Sequence, residues 1–243
     1  MSSSLSPSLK YQNTLGLLIL ALAGCQVLPP AAGPTTTVQP LQEAPAWQPP
    51  PQAERWIVDP DRSEFRLLVY RAGALAALGH DHVITGRIEG EIYRGASAAT
   101  SGFRLRIQVD TLVVDPPEAR ADEGQRFSQP ISDSVRERTR ANLLSPAILD
   151  AERHPEIVIE SLALDGPRWN PGVTARVLLR GAWHQVGFPA AVVEDRDRMV
   201  IVATLRLSQT ALGMEPFSAL GGNLQVADAL DVRLRIIATP SSE

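Results

Sequence analysis

The stretch Phe103-Arg104-Leu105-Arg106-Ile107-Gln108-Val109-Asp110 alternates apolar and polar side chains without a break. Successive side chains of an extended chain point to opposite faces, so this alternation predicts a β-strand with one buried and one solvated face. Residues 229–238 repeat the pattern, with Val232, Leu234 and Ile236 on the apolar side. The two segments predict a sheet that turns one face to a core.

Similar segments recur along the chain, at residues 63–70, 84–93, 103–110, 156–164, 173–183, 188–194, 198–208 and 229–238. Eight antiparallel strands of this kind predict a closed barrel, because closure removes the exposed edges of an open sheet. Residues 115–130 are acidic and aperiodic, which predicts a loop, and only residues 132–144 have the pattern of a helix, with Ser132 or Asp133 as N-cap. The expected fold is all-β: an antiparallel eight-stranded barrel with one inserted helix.

An eight-stranded barrel is just wide enough to be filled by its own side chains or to hold one slender ligand. A solid core and a hollow, ligand-binding interior need the same apolar stripes, so both interpretations remain open. The candidates for the interior are Phe65, Leu67, Val69, Phe103, Leu105, Ile107, Val109, Val177, Leu179, Met199, Ile201, Leu205, Val232, Leu234 and Ile236.

Two of the four histidines lie in the motif Gly79-His80-Asp81-His82. In an extended segment His80 and His82 share a face and Asp81 points the other way. Two imidazoles on one face form part of a zinc site, which needs at least three protein ligands, so His154 or His184 at the barrel rims would have to complete it. The alternative hypothesis is a hydrogen-bonding role at the rim, in the structure or towards the head of a ligand.

Composition and motifs argue against two classes of function. The formal net charge is -4 and no basic run is interleaved with aromatic residues, so we expect no nucleic-acid partner. The sequence has no G-x-S-x-G motif and no Gly-rich phosphate loop after a strand, so we do not expect an enzyme.

The N-terminal region indicates an exported protein. Lys10 precedes an apolar run at residues 15–22, which has the length of a signal-peptide core. The motif Leu22-Ala23-Gly24-Cys25 resembles the lipobox of bacterial lipoproteins, in which the chain is cut before the cysteine and the cysteine is acylated. This resemblance implies a signal peptide at residues 1–24 and a lipid anchor at Cys25. Gln26 then implies the periplasmic face of the outer membrane.

Residues 25–54 have the composition of a tether. Eight of the 20 prolines lie between Pro29 and Pro51, and no apolar periodicity accompanies them. Such a segment tends to be extended, at about 3.1 Å per residue where it is polyproline-like. Trp47 is its one large apolar residue, and nothing in the sequence predicts that it docks. The barrel domain is predicted to occupy residues 55–239.

Short motifs in a fixed order give the barrel a family resemblance. It is similar to the YceI family of lipocalin-like periplasmic proteins from about Arg55 to Ala238. The motifs are Trp56-Ile57-Val58-Asp59-Pro60 with Ser63, Gly86-Arg87 with Gly90, Leu143 with Ser145 and Asp150, His154-Pro155-Glu156-Ile157-Val158-Ile159-Glu160-Ser161, Leu179-Arg180-Gly181, and Leu212-Gly213-Met214.

The resemblance implies a barrel whose apolar interior binds a long isoprenoid or similar amphiphile without enzymatic activity. The chain departs from the family at Asn142, where a helix histidine is usual, and at Gly79-His80-Asp81-His82. We therefore expect an envelope lipoprotein that binds, sequesters or carries a lipidic ligand. The alternatives are a divalent-metal-binding protein that uses His80 and His82, and a non-binding structural domain. The sequence names no protein partner.

Overall fold

The computed structural model describes residues 36–41 and 46–241. Over these residues the chain forms thirteen strands: β1 (Val38–Leu41), β2 (Glu54–Val58), β3 (Glu64–Ala72), β4 (His82–Gly86), β5 (Glu89–Arg94), β6 (Gly102–Gln108), β7 (Val113–Val114), β8 (Glu156–Asp165), β9 (Gly172–Leu179), β10 (Ala182–Glu194), β11 (Met199–Ser208), β12 (Ser218–Ala219) and β13 (Leu224–Pro240). The same residues form two α-helices, α1 (Pro117–Asp122) and α2 (Asp133–Leu144), and 3₁₀ turns at Ala76–Leu78, Ala98–Thr100, Val109–Thr111, Gln125–Phe127 and Leu220–Gly222.

The strands pair antiparallel around a closed ring. β2 and β3 follow one another along one edge of β13, and β4 and β5 form a second broken strand beside them. From β5 the ring continues through β6, β8, β9, β10 and β11, and β11 returns to the other edge of β13. With each broken strand counted once, eight strands close the barrel, which confirms the predicted fold class.

The two ends of the barrel are built differently. The end that we call the helical end carries α2 and the connections β3–β4, β9–β10 and β11–β12. The opposite end carries the turns β5–β6, β8–β9 and β10–β11. Helix α2 follows Ser132 as N-cap, as predicted, and buries Leu143 in the core. Its Arg140 donates hydrogen bonds to the carbonyl oxygens of Leu112 (3.0 Å) and Asp110 (2.6 Å), which fastens the helix across this end.

Residues 115–130, predicted to be a loop, contain α1 and pack against the outside of the barrel. Phe127 and Ala119 from this segment form a small second hydrophobic cluster with Leu68, Tyr70 and Val83. The outward face of β3 and β4 is therefore apolar here, because a second layer covers it. The one helix predicted from the sequence was α2, and the six-residue α1 was missed.

Several predicted strand boundaries were wrong, among them those of residues 84–93, which form β4 and β5. Residues 173–183 are not one strand, because Arg180 and Gly181 have φ values of +50° and +77° and turn the chain from β9 into β10. Positive φ at both central residues is what a two-residue hairpin of type I′ requires. β6 ends at Gln108, so Val109 lies in a 3₁₀ turn and not in the strand, although it is buried.

Part of the predicted tether lies on the barrel. β1 pairs antiparallel with β10, with Val38 opposite Val186 and Leu41 opposite Trp183. Thr36 donates its N–H to the carbonyl oxygen of Arg206 in β11 at 2.7 Å. We call residues 36–41 the strap, because they bridge β10 and β11. No apolar periodicity marks this segment in the sequence, since the strap adds to the edge of an existing sheet by backbone pairing, and of residues 36–41 it is Val38 that packs against the core.

Pro189 explains why a gap exists for the strap. β10 pairs with β11 only from Ala190 onwards. Ala190 donates its N–H to Pro171 O on the β9 side at 3.0 Å. N–H groups alternate between the two edges of a strand, so the Pro189 nitrogen faces β11, where proline has no hydrogen to donate. The two strands part beyond this point, towards the helical end, and the strap closes the seam.

Trp47 also docks, contrary to expectation. Its Nε1 donates a hydrogen bond to the carbonyl oxygen of Ser161 in β8 at 3.2 Å. Its ring lies against Tyr93, with 5.6 Å between the ring centroids. Residues on both sides of the gap at 42–45 therefore contact the outer wall of the barrel.

We predict that the strap stabilises the barrel. A chain that begins at residue 46 should have a free energy of unfolding lower by about 1–3 kcal/mol than a chain that begins at residue 36, because it loses the β1 ladder and the packing of Val38. Thermal unfolding measures the difference. Hydrogen exchange should also accelerate at the amides of Trp183 and Gln185, whose N–H groups face the strap by the same alternation. Equal stability and equal exchange in the two chains would contradict the prediction.

Candidate ligand-binding site

The interior of the barrel is hollow. Two cavities of about 270 Å³ and 90 Å³ follow one another along the lumen. Every side chain of the predicted interior set except Val109 lines one of them. The alternation of apolar residues thus located the wall of the lumen, while contact with a ligand stays a prediction.

The larger cavity opens at the helical end. Its walls are apolar side chains of β3, β4, β9, β11 and β13, and it is covered by Leu143 of α2 and by Leu212, Met214 and Phe217 after β11. The motif Leu212-Gly213-Met214 therefore contributes to this cover. The polar side chains in the wall are His82, Thr139, Asn142 and Gln209.

The smaller cavity lies at the opposite end, where ion pairs surround it. Arg94 and Arg168 both contact the carboxylate of Glu194, with 3.4 Å between Arg94 Nη1 and Glu194 Oε2. Arg94 also pairs with Glu54 at 2.7 Å, and its guanidinium lies 5.3 Å from the ring centroid of Trp56. This end is tied together by charged side chains, whereas a helix covers the other.

Three side chains line both cavities: Ile159 of β8, Phe188 of β10 and Leu234 of β13. They form a waist between the two chambers. The space is therefore long and narrow, which suits a chain-like ligand better than a compact one.

His82 is held at the wall of the larger cavity by a buried carboxylate. Its Nδ1 lies 2.6 Å from Asp115 Oδ2. Asp115 is fully buried, and its Oδ1 accepts hydrogen bonds from Val83 N (2.9 Å) and Arg120 Nη1 (2.6 Å). Burial by itself would raise the pKa of Asp115, but the hydrogen bond and charge of His82, with the bonds from Val83 and Arg120, hold that pKa below its ordinary value. Asp115 is thus a carboxylate that fixes the orientation of the ring.

Asp81 points away from the histidines, as predicted, and anchors the outer layer. Its carboxylate accepts hydrogen bonds from Arg71 N at 2.8 Å and from Arg126 Nε at 2.7 Å. Its carbonyl oxygen accepts one from Arg120 Nη1 at 2.8 Å. The acidic residue of the motif therefore holds residues 115–130 against the barrel.

His80 lies beside His82, with 6.3 Å between the ring centroids, but it does not line the cavity. Partial burial lowers the pKa of His80, and the charges of His82, Arg120 and Arg71 lower it further. The two rings are therefore neighbours, although His82 alone of the pair lines the cavity.

The other two histidines lie at the same end of the barrel but elsewhere. His154 packs against the β9–β10 turn, where a Cβ on Gly181 would lie 2.9 Å from its Cε1. His184 is buried on β10, and its Nδ1 has no hydrogen-bond partner among the described residues. Across residues 36–41 and 46–241, no three His, Cys, Asp or Glu side chains are grouped in a way that could hold a metal ion. The structure therefore offers no site for the metal hypothesis there.

Asp115, Arg120 and Gln209 are the site residues that the sequence did not single out. Asp115 and Arg120 lie in an aperiodic segment, and their pairing with His82 and Asp81 depends on the fold of the outer layer. They are found as buried partners of the histidine motif, and these partners can be identified only when it is known how the strands pair and where residues 115–130 pack.

We predict that His184 makes the fold sensitive to acid. Burial lowers its pKa, so below about pH 6.5 the unfolded chain binds a proton more readily than the folded protein does. Its neutral form is accommodated fully above that pH, and stability falls as the pH drops towards the lowered pKa, by at most about 1.4 kcal/mol per pH unit. In denaturant unfolding between pH 5 and 7.5, His184→Leu should make the free energy of unfolding depend less steeply on pH. His154→Leu serves as the control and should keep the pH dependence of the parent. A curve of unchanged slope would contradict the prediction.

Cys25, the predicted lipid-attachment residue, lies outside the described residues. In the part of the chain that is described, no helix is both long and apolar enough to cross a membrane.

Comparison with known proteins agrees with this architecture. The model of a family described as the YceI-like domain matches residues 56–238. Burkholderia cenocepacia BcnA superposes with a TM-score of 0.50 at 14% identity, covering 75% of this chain and 99% of that one. A polyisoprenoid-binding domain from Saccharophagus degradans, implicated in plant cell wall breakdown, superposes with a TM-score of 0.54 at 10% identity, covering 76% and 98%. Among curated proteins, none matches the sequence.

Proposed function

Because the chain belongs to the YceI-like domain family, we propose that its lumen binds a hydrophobic or amphiphilic small molecule. The observation that carries the proposal is the apolar, two-chambered lumen, with about 270 Å³ in one chamber and 90 Å³ in the other. Atoms that line an empty space lose dispersion contacts on one side, and a ligand restores them. Each methylene group moved from water into such a wall contributes about 0.8 kcal/mol.

The shape of the lumen indicates the class of ligand. Two chambers in line, with Ile159, Phe188 and Leu234 between them, suit a flexible chain in extended form. The charged side chains Arg94, Arg168 and Glu194 at the smaller chamber are paired with one another, and the larger chamber is lined by the polar side chains His82, Thr139, Asn142 and Gln209. The ligand is then an isoprenoid-like or other lipidic chain whose polar head lies at the helical end. The Saccharophagus degradans domain, described as polyisoprenoid-binding, has the same fold and supports this choice. The role is binding, sequestration or carriage and not catalysis.

Filling the lumen tests the proposal. Leu205→Trp places an indole in the larger chamber, whereas Val202→Trp on the same strand adds it to the exposed outer face. We expect the first variant to lose at least about tenfold in affinity for the fluorescent apolar probe 1-N-phenylnaphthylamine, because the probe and the indole occupy one space. The second should bind as the parent does.

Material that co-purifies with the protein gives an independent result. Native mass spectrometry and solvent extraction of the Cys25→Ser chain should find a lipid, and this lipid should be absent from Leu205→Trp. Elemental analysis of the same sample measures bound divalent metal and so tests the metal hypothesis. Equal probe binding by the two tryptophan variants, or stoichiometric metal with no lipid, would overturn the proposal.

We also propose that the protein is held in the bacterial cell envelope by acyl chains on Cys25. Support comes from the lipobox-like motif Leu22-Ala23-Gly24-Cys25 and the apolar run before it. Gln26 favours the periplasmic face of the outer membrane over the inner membrane. In this location the barrel would meet lipidic molecules close to the membrane from which they come.

Replacement of the cysteine tests the anchor. The parent chain should incorporate labelled palmitate and fractionate with outer membranes, and Cys25→Ser should do neither, since the serine hydroxyl is not acylated at this motif. Ala23→Ser keeps a small residue two positions before the cysteine and serves as the control, which should be acylated as the parent is. A Cys25→Ser chain that remains in the membrane fraction would contradict the proposal.

A further inference from the structure

His82 offers a free hydrogen-bonding nitrogen to the lumen. β4 turns His82 and Ile84 to the same side, and both line the larger cavity. Since Nδ1 is taken by Asp115, the second ring nitrogen, Nε2, is the one left for another partner. No residue within 36–41 or 46–241 forms a hydrogen bond with Nε2.

Asp115 decides which ring nitrogen carries the proton. A carboxylate only accepts hydrogen bonds, so Nδ1 must donate, and in the neutral ring Nε2 is then an acceptor. The carboxylate cannot turn away, because Val83 N and Arg120 Nη1 hold its other oxygen. Asp115 is thus a positioning residue that sets the hydrogen-bonding character of the cavity wall.

Gln209 presents a second acceptor in the same chamber. Its side-chain N–H donates to the carbonyl oxygen of Ala227 at 2.8 Å, so its amide oxygen is the acceptor left for a group in the cavity that it lines. Thr139 and Asn142 lie on α2, where Thr139 is half-buried and Asn142 is exposed. The two polar side chains of the chamber that lie on the barrel, His82 and Gln209, therefore both offer acceptors.

We propose that the larger chamber selects ligands whose head donates a hydrogen bond, above all a hydroxyl group, and that His82 Nε2 accepts it. This inference rests on the proposed function and specifies its ligand class. A long-chain alcohol satisfies the acceptor, whereas an ether or ester head of the same chain leaves both oxygen and nitrogen unpaired in an apolar space. A carboxylate head would place a second acceptor against the first.

A matched pair of ligands isolates the hydroxyl. Farnesyl methyl ether carries a methyl group in place of the hydroxyl hydrogen of farnesol, so it keeps the oxygen but cannot donate a hydrogen bond. The affinity of each ligand is measured by displacement of 1-N-phenylnaphthylamine from the full chain carrying Cys25→Ser. At pH 8 we expect farnesol to bind about 3- to 10-fold more tightly than the ether. If neither ligand nor the probe binds, the proposed function fails; if both ligands bind with equal affinity, the function stands and this inference is overturned.

Two variants then separate hydrogen bonding from packing. His82→Phe keeps a ring in place but removes Nε2, so the preference should disappear through weaker binding of farnesol. His80→Phe makes the same change two residues away, outside the cavity wall, and should keep the preference.

Asp115→Asn should remove the preference in the opposite way. The asparagine oxygen takes the bonds from Val83 and Arg120, so its N–H₂ faces His82 Nδ1, and the ring proton moves to Nε2. Asparagine also tolerates the φ of +54° at this position. The ether then gains a donor, and its affinity should rise about 3- to 10-fold. Loss of affinity for both ligands in this variant, with no gain for the ether, would overturn the assignment of Asp115.

Discussion

The barrel depends on hydrogen bonding along both edges of β13. One edge pairs with β11 over ten residues, and the other pairs first with β3 and then with β2. If either edge were released, the ring would become an open sheet, with unpaired N–H and C=O groups and a broad apolar face in water. Because the sheet is closed, alternate side chains of each strand face either the lumen or the outer surface of the barrel. Every property of the lumen follows from this one constraint.

The two ends of the lumen differ in what they offer a ligand. At the opposite end, arginines are bound to Glu54 and Glu194, so their charges are already compensated. At the helical end, Asp81 and Asp115 bind partners in the outer layer, and among the described residues His82 is the one that both contacts Asp115 and lines the larger cavity. The protein thus keeps a charged network outside an apolar space, with His82 as a contact between them. Recognition of a polar head can occur there without burial of an unpaired charge.

Local patterns predicted those parts of the molecule whose cause is local. Alternation at Phe103 to Ile107 and at Val232 to Ile236 identified the strands and the lumen wall, because a period of two is a property of the extended chain itself. Pairing between distant segments left no such trace, so the strap, the docking of Trp47 and the bond from His82 to Asp115 were not predicted. An outward position was also a poor guide to solvation: Glu160 and Arg176 face outwards but form a buried ion pair, with 2.7 Å between Oε2 and Nε.

The strap limits how far the barrel can lie from a membrane to which Cys25 is attached. Its first described residue, Thr36, is bonded to β11, and it lies only eleven residues beyond Cys25. Eleven residues span at most about 40 Å, even when fully extended. An acyl chain on Cys25 would therefore keep the seam between β10 and β11, where the strap lies, within about 40 Å of the membrane surface. A lipidic ligand that leaves the bilayer would then meet this side of the barrel first.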